Sequence, residues 1–309
     1  MSASPDRRLA TATGCGAVAL WALLALLTVR SGAVPPFQLT AVCLALGAGV
    51  GLVWARARGR PLAAAVTGAL AGGPRALALG IGGIFGYHFF YFTALRGAPA
   101  AEAGLIAYLW PLLIVLFSGL LPGERLRPLH ILGALAALAG AALILAPRLG
   151  ADAAGGGGFD PRHSLGFGAA LLCALIWSGY SVLSRRMGEA PTEAVAVYCA
   201  AGAVLSALAH LALETTVWPA GPGEWAAVVG LGLGPLGLAF YVWDYGVRRG
   251  DIQLLGVAAY AAPLLSTLAL AAAGEARLTG TLALSAGLIA GGAARAARGS
   301  RGAGAAPAA

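Results

Sequence analysis

Between residues 9 and 294 the chain is a succession of apolar stretches, each about 20 residues long, the length an α-helix needs to cross a ~30 Å hydrocarbon core. Lipid offers no partner to a free backbone amide, so stretches of this kind can only be helical. Charge is scarce to match: 10% of residues are charged and 59% are apolar. A soluble domain carries about 25% charged residues. Most of this protein's surface therefore faces something other than water. Hydropathy and breakers place ten helices near 9–29, 37–55, 75–95, 100–121, 129–147, 165–184, 192–213, 224–247, 252–273 and 279–294. Pro35-Pro36, Gly72-Gly73-Pro74, Gly97-Ala98-Pro99, Pro122-Gly123, Pro191 and the run from Pro219 to Gly223 separate them. The expected class is an all-α integral membrane protein with ten transmembrane helices. The first stretch ends without a small-residue cleavage pattern and is read as a retained helix.

The net charge is +8, and all twenty basic residues are Arg. They punctuate apolar segments and do not interleave with aromatics, which argues against nucleic acid as a partner. In the ten-helix scheme only Arg30, Arg96, Arg148, Arg162 and Arg277 fall on one side, and the other fifteen fall on the opposite side. Basic residues accumulate on the cytoplasmic side, so both termini are expected there. The expected setting is a cell inner membrane, with the lipid bilayer around a monomer. Cys15, Cys43, Cys173 and Cys199 all lie inside apolar stretches without Cys/His spacing. They indicate no metal, no cofactor and no disulfide framework.

A pattern repeats along the chain. Gly104-Leu105-Ile106-Ala107-Tyr108-Leu109-Trp110-Pro111-Leu112-Leu113 recurs 152 residues later as Gly256-Val257-Ala258-Ala259-Tyr260-Ala261-Ala262-Pro263-Leu264-Leu265. Gly123-Glu124-Arg125-Leu126 matches Gly274-Glu275-Ala276-Arg277-Leu278, and Trp21 has a counterpart in Trp177. The chain thus divides into a first repeat at 1–150, a Gly-rich linker at 151–164, a second repeat at 165–298 and an unstructured tail at 299–309. Five helices per half is an odd number, so the second half enters the membrane upside down. Inverted repeats of this kind recur in secondary transporters, with the substrate held near the midplane between halves. Pro111 and Pro263 lie inside equivalent helices, where each removes a backbone hydrogen bond. Paired breaks of this sort point to kinks or gates on a transport path.

At these residues the sequence resembles the drug/metabolite transporter superfamily, specifically the ten-helix EamA-type permeases, over essentially its whole length. Gly86-Tyr87-His88, Ala94-Leu95-Arg96, Glu102-Ala103-Gly104-Leu105-Ile106, Tyr108-Leu109-Trp110-Pro111 and, more weakly, Tyr241-Val242-Trp243-Asp244 resemble the members that export aromatic amino acids. The resemblance implies an inner-membrane exporter whose central cavity is lined by helices of both halves.

The residues point the same way by their own chemistry. Tyr87, His88 and Tyr91 share one helical face. Tyr108, Trp110, Trp177, Tyr241 and Tyr260 add aromatic surface deep in other helices, as do Trp21 and Tyr180. Packing alone could account for each, and the interfacial belt accounts for Trp54, Trp218 and Trp225. Together they form a substrate-binding set that can hold a ring by stacking and an ammonium by cation–π attraction. Asp244 and Arg248 are one turn apart and read as a structural ion pair. Glu102, Glu124 and Glu275 near helix starts read as dipole partners. Gly47/Gly51, Gly82/Gly86 and Gly287/Gly291 read as close-packing pairs. No Arg stands at mid-depth to meet a phosphate, and the first helix has no carboxylate to capture a cation. The expected function is export of an aromatic or other neutral amino acid by alternating access. The alternative is another small neutral or cationic metabolite or drug. No nucleophile stands beside His88 or Asp244, so an enzyme is not expected.

Overall fold

The computed structural model describes residues 5–61, 63–151, 161–186, 191–275 and 279–303, and all regular structure among them is helical. The elements are α1 (Asp6–Arg30), α2 (Pro36–Ala57), α3 (Ala63–Ala71), α4 (Gly73–Gly97), α5 (in two pieces, Ala100–Ala107 and Trp110–Ser118) and α6 (Pro128–Ala151). They continue as α7 (Ser164–Arg186), α8 (Thr192–Leu213), α9 (Pro222–Arg249), α10 (Ile252–Ala272) and α11 (Gly280–Ala303). Seven of these, α1, α2, α4, α7, α8, α9 and α10, are long and apolar enough to cross a membrane. Glu102–Ser118 and Pro128–Ile144 are shorter apolar helices. The outer faces of the helices carry bare apolar side chains, with Leu165 of α7 88% and Leu211 of α8 75% exposed, as a lipid-facing surface requires. Sequence reading did not anticipate α3, and it ended α11 nine residues early. The Gly155–Gly158 run and the tail beyond Ala303 lie outside the described residues.

The strongest pairings are α6 with α11, α2 with α8, α1 with the last eleven residues of α9, and α7 with the last eleven of α4; α7 also packs on α5, α2 on α9 and α5 on α10. Glycine sets several of these distances. A Cβ on Gly133 of α6 would lie 2.6 Å from the Gly292 carbonyl oxygen of α11, and one on Gly47 of α2 would lie 2.8 Å from that of Leu236 in α9. Small residues let membrane helices approach this closely. Gly287 has open space around its Cβ position, so the expected Gly287/Gly291 packing pair gives way to Gly133 and Gly292.

Two helices carry a π turn, Gly82–Gly86 in α4 and Gly234–Leu238 in α9. Both α5 and α10 are interrupted: α5 restarts at Trp110 and α10 at Ala261, with Pro111 and Pro263 in the first turn of the new piece. Proline is tolerated there because a first-turn N–H has no intrahelical partner.

One end of the molecule is clamped by Glu214, just past α8. Its carboxylate accepts the N–H groups of Phe37 and Gln38 at 3.1 Å, capping α2 from a distant helix. It also binds Arg96 at 2.6 Å and His210 at 3.0 Å. Burial opposes its ionisation, but the Phe37 amide, the His210 ring, the Gln38 amide and Arg96 outweigh burial and hold the carboxyl below its ordinary value.

Candidate functional site

Four indoles meet where α1, α5, α7 and α9 converge. Ring centroids place Trp21 5.9 Å from Trp110, 5.9 Å from Trp177 and 5.1 Å from Trp243, while Trp110 stands 5.7 Å from Trp243. Most of these contacts are edge-to-face, which the ring quadrupole favours. Tyr87, 5.4 Å from Trp177, carries the cluster into α4 and stacks on Tyr91 at 5.9 Å. Tyr180 and Phe240 close against Trp177 at 5.4 and 5.8 Å.

Irregular backbone positions much of this cluster. Trp21 is the last residue of the first piece of α1, and its Nε1–H donates to the carbonyl of Pro235, inside the π turn of α9, at 3.1 Å. Trp110 opens the second piece of α5, straight after the break. Trp243 Nε1–H donates to Ser181 Oγ at 3.0 Å, so the indole N–H groups of Trp21 and Trp243 both find partners. Trp21, Tyr87, Tyr91 and Tyr108 are only half-buried and keep part of their ring surface free of protein.

Tyr87, Tyr91, Trp110 and Trp177 thus stand together, with His88 at their edge, 5.3 Å from the Tyr87 ring and 6.1 Å from Phe240. His88 Nδ1–H donates to the Ile84 carbonyl at 2.7 Å, which in the neutral ring makes Nε2 the acceptor. Two of the sequence-expected residues are held elsewhere. Tyr241 donates its hydroxyl to the Gly47 carbonyl at 2.8 Å and packs on Trp54. Tyr260 is fully buried and accepts the Leu112 N–H at 3.1 Å, tying α10 to α5. Asp244, 3% exposed, meets Arg248 at 3.4 Å and the Tyr180 hydroxyl at 3.4 Å. Sequence reading missed Phe240 and Trp243 as cluster members. A signal existed, since Trp243 lies 152 residues after Tyr91, the spacing of the repeat.

His88 borders the rings and Asp244 meets them at the Tyr180 hydroxyl, and among the described residues no group of three His, Cys, Asp or Glu could hold a metal. A cavity of about 500 Å³ lies on the flank between α4 and α7, lined by Gly82, Gly83, Phe85, Phe89, Ile176 and Tyr180 among others. It adjoins the cluster through Tyr180 and is lined by one helix from each matched stretch of the chain.

The chain matches the model of the EamA-like transporter family twice, over residues 9–146 and 164–296. It is 56% identical over 289 residues to the aromatic amino acid exporter YddG of Ancylobacter novellus, covering 94% of this chain and 97% of that one. It is 27% identical over 178 residues to the YddG of Salmonella typhimurium, covering 54% of this chain and 57% of the relative. A solved crystal structure superposes with a TM-score of 0.87 at 54% identity, covering 96% of this chain and 99% of the other. The apolar spans, the doubled match and near full-length similarity give one conclusion: this chain belongs to the EamA-like transporter family and is a membrane transporter, not an enzyme.

Proposed function

We propose that this protein exports aromatic, and more broadly neutral, amino acids across a bacterial inner membrane by alternating access. The observation that carries the reading is the four-indole cluster, joined by tyrosines and bordered by one imidazole. Such a site gives an aromatic side chain edges and faces to pack on, and an ammonium the negative face of a ring. Similarity to a protein named for aromatic amino acid export supports the same substrate class.

The mechanism rests on ten transmembrane helices arranged as two inverted five-helix repeats, α1, α2, α4, α5 and α6 against α7, α8, α9, α10 and α11. The packing pairs support this. Exchanging every helix for its counterpart turns the α1–α9 pair into the α7–α4 pair and leaves the α2–α8, α5–α10 and α6–α11 pairs unchanged. The two π turns begin 152 residues apart, as do the two prolines. A molecule with this internal symmetry has two related ways to close, one on each side of the membrane. The excess of Arg on the side holding Arg7 supports cytoplasmic termini.

Equilibrium dialysis of radiolabelled L-tryptophan against purified protein tests the site. Saturable binding is expected, displaced by L-phenylalanine and weakened about tenfold by Trp110→Ala, the factor that ~1.4 kcal/mol makes. Binding of no neutral amino acid to well-folded protein would overturn the reading.

A further inference from the structure

The repeat carries the same acidic turn to both ends of the molecule. Glu124 and Glu275 each follow a glycine with φ of +80°, Gly123 and Gly274, a conformation that favours glycine. Each glutamate meets an arginine from the end of the helix that begins the other half. Arg185 closes α7 and Arg30 closes α1, eight residues after Trp177 and nine after Trp21.

The two pairs differ in how tightly they are made. Arg185 Nη1 is 2.5 Å from Glu124, and the two side chains are only 15% and 13% exposed. The same guanidinium donates to the carbonyls of Val247 and Gly250, and Arg7 approaches Glu124 at 3.3 Å. Four segments, α1, the α5–α6 turn, α7 and the end of α9, are thereby tied at one end. At the opposite end Arg30 stands 3.7 Å from Glu275, with side chains 50% and 45% exposed, and among the described residues no backbone carbonyl joins them. A half-exposed pair of that length holds little, whereas a partly buried, multiply bonded one holds a closure.

We propose that Glu124–Arg185 and Glu275–Arg30 are a matched pair of gate latches, one closed and one nearly released, exchanged as the transporter turns over. The proposal rests on the alternating-access reading and names the residues that set the balance between its two states. It gives the two glutamates opposite effects. Loss of the Glu124 carboxylate frees the Arg7 end, while loss of the Glu275 carboxylate removes the contact that would close the Arg30 end. The structure described here is the form closed at the Arg7 end.

Spin-label distances measured by pulsed electron resonance test this in full-length protein, on a background with its cysteines replaced. One label pair sits at residues 125 and 249 and the other at 28 and 272, with and without L-phenylalanine. Glu124→Gln is expected to raise the population open at the Arg7 end about tenfold, the change that ~1.4 kcal/mol makes. Glu275→Gln is expected to lower it, and Glu124→Arg with Arg185→Glu should restore the wild-type ratio if the latch is an ion pair. Both single variants shifting the ratio the same way, or neither shifting it, would overturn the latches. Alternating access would still stand if the two wild-type label pairs move in opposite senses on adding L-phenylalanine. Wild-type pairs that do not so move would overturn alternating access, and the latches with it.

Discussion

Glu214 serves a helix that is not its own. It sits at the end of α8 but caps α2, and its lowered titration follows from the two amides, the imidazole and the guanidinium around it. A carboxylate depressed in the folded state stabilises fully above its ordinary value of 4.5, and that contribution is lost as pH falls through the lower folded value. Glu214→Gln should therefore lower the thermal midpoint by a few degrees at pH 7, the shift expected of about 1–2 kcal/mol. The difference from wild type should narrow below pH 4.5 in the same thermal scans. Glu124 corrects the sequence reading in a similar way. Its position near a helix start suggested a dipole partner, but it sits in a turn and is satisfied by Arg185 and Arg7 from distant segments. Local spacing reveals i, i+4 pairs such as Asp244 and Arg248, and is blind to partners 61 and 117 residues away. Tyr241 and Tyr260 illustrate the same limit. Both are deep aromatics by sequence, and only the fold shows that their hydroxyls are used by backbone groups of neighbouring helices.

Helices were readable because their length and apolarity are set by the bilayer, and α2, α7, α8 and α10 fall within a few residues of their expected bounds. The π turns of α4 and α9 were not. An i→i+5 turn occurs as a single bulge inside an otherwise ordinary helix, and nothing in the local pattern separates it from its surroundings. The interruptions before Pro111 and Pro263 carry a prediction at this scale. Alanine at either site permits an unbroken helix through Tyr108 or Tyr260. Transport by Pro111→Ala or Pro263→Ala should slow about fivefold at saturation, the effect of ~1 kcal/mol on a barrier, with half-saturation unchanged. The glycine contacts make another. Gly133→Val places a side chain against the Gly292 carbonyl and should cost about 1–3 kcal/mol in unfolding scans. Gly287→Ala, which meets nothing within 4 Å, should be neutral.

The molecule as a whole reads as two similar halves, each matched by the same family model and each supplying partners to the other in every major packing pair. The repeat was visible because tyrosine, proline and glycine recur at one spacing. The convergence of α1, α5, α7 and α9 on the indole cluster was only partly visible, because Phe240 lacks a motif of its own and the 152-residue spacing of Trp243 joins it to a tyrosine, Tyr91, not to another indole. Orientation is checked by a reporter fused after Ala309, which should read as cytoplasmic, and a periplasmic reading would reverse the assignment of the two ends. The most direct measurement of the central claim is flux in proteoliposomes, with a panel of radiolabelled amino acids and with or without an imposed pH gradient. Tryptophan, phenylalanine and tyrosine should cross saturably and faster than acidic or basic amino acids, and Trp110→Ala or His88→Ala should reduce the rate. Folded protein that moves none of the neutral amino acids under either condition would contradict it.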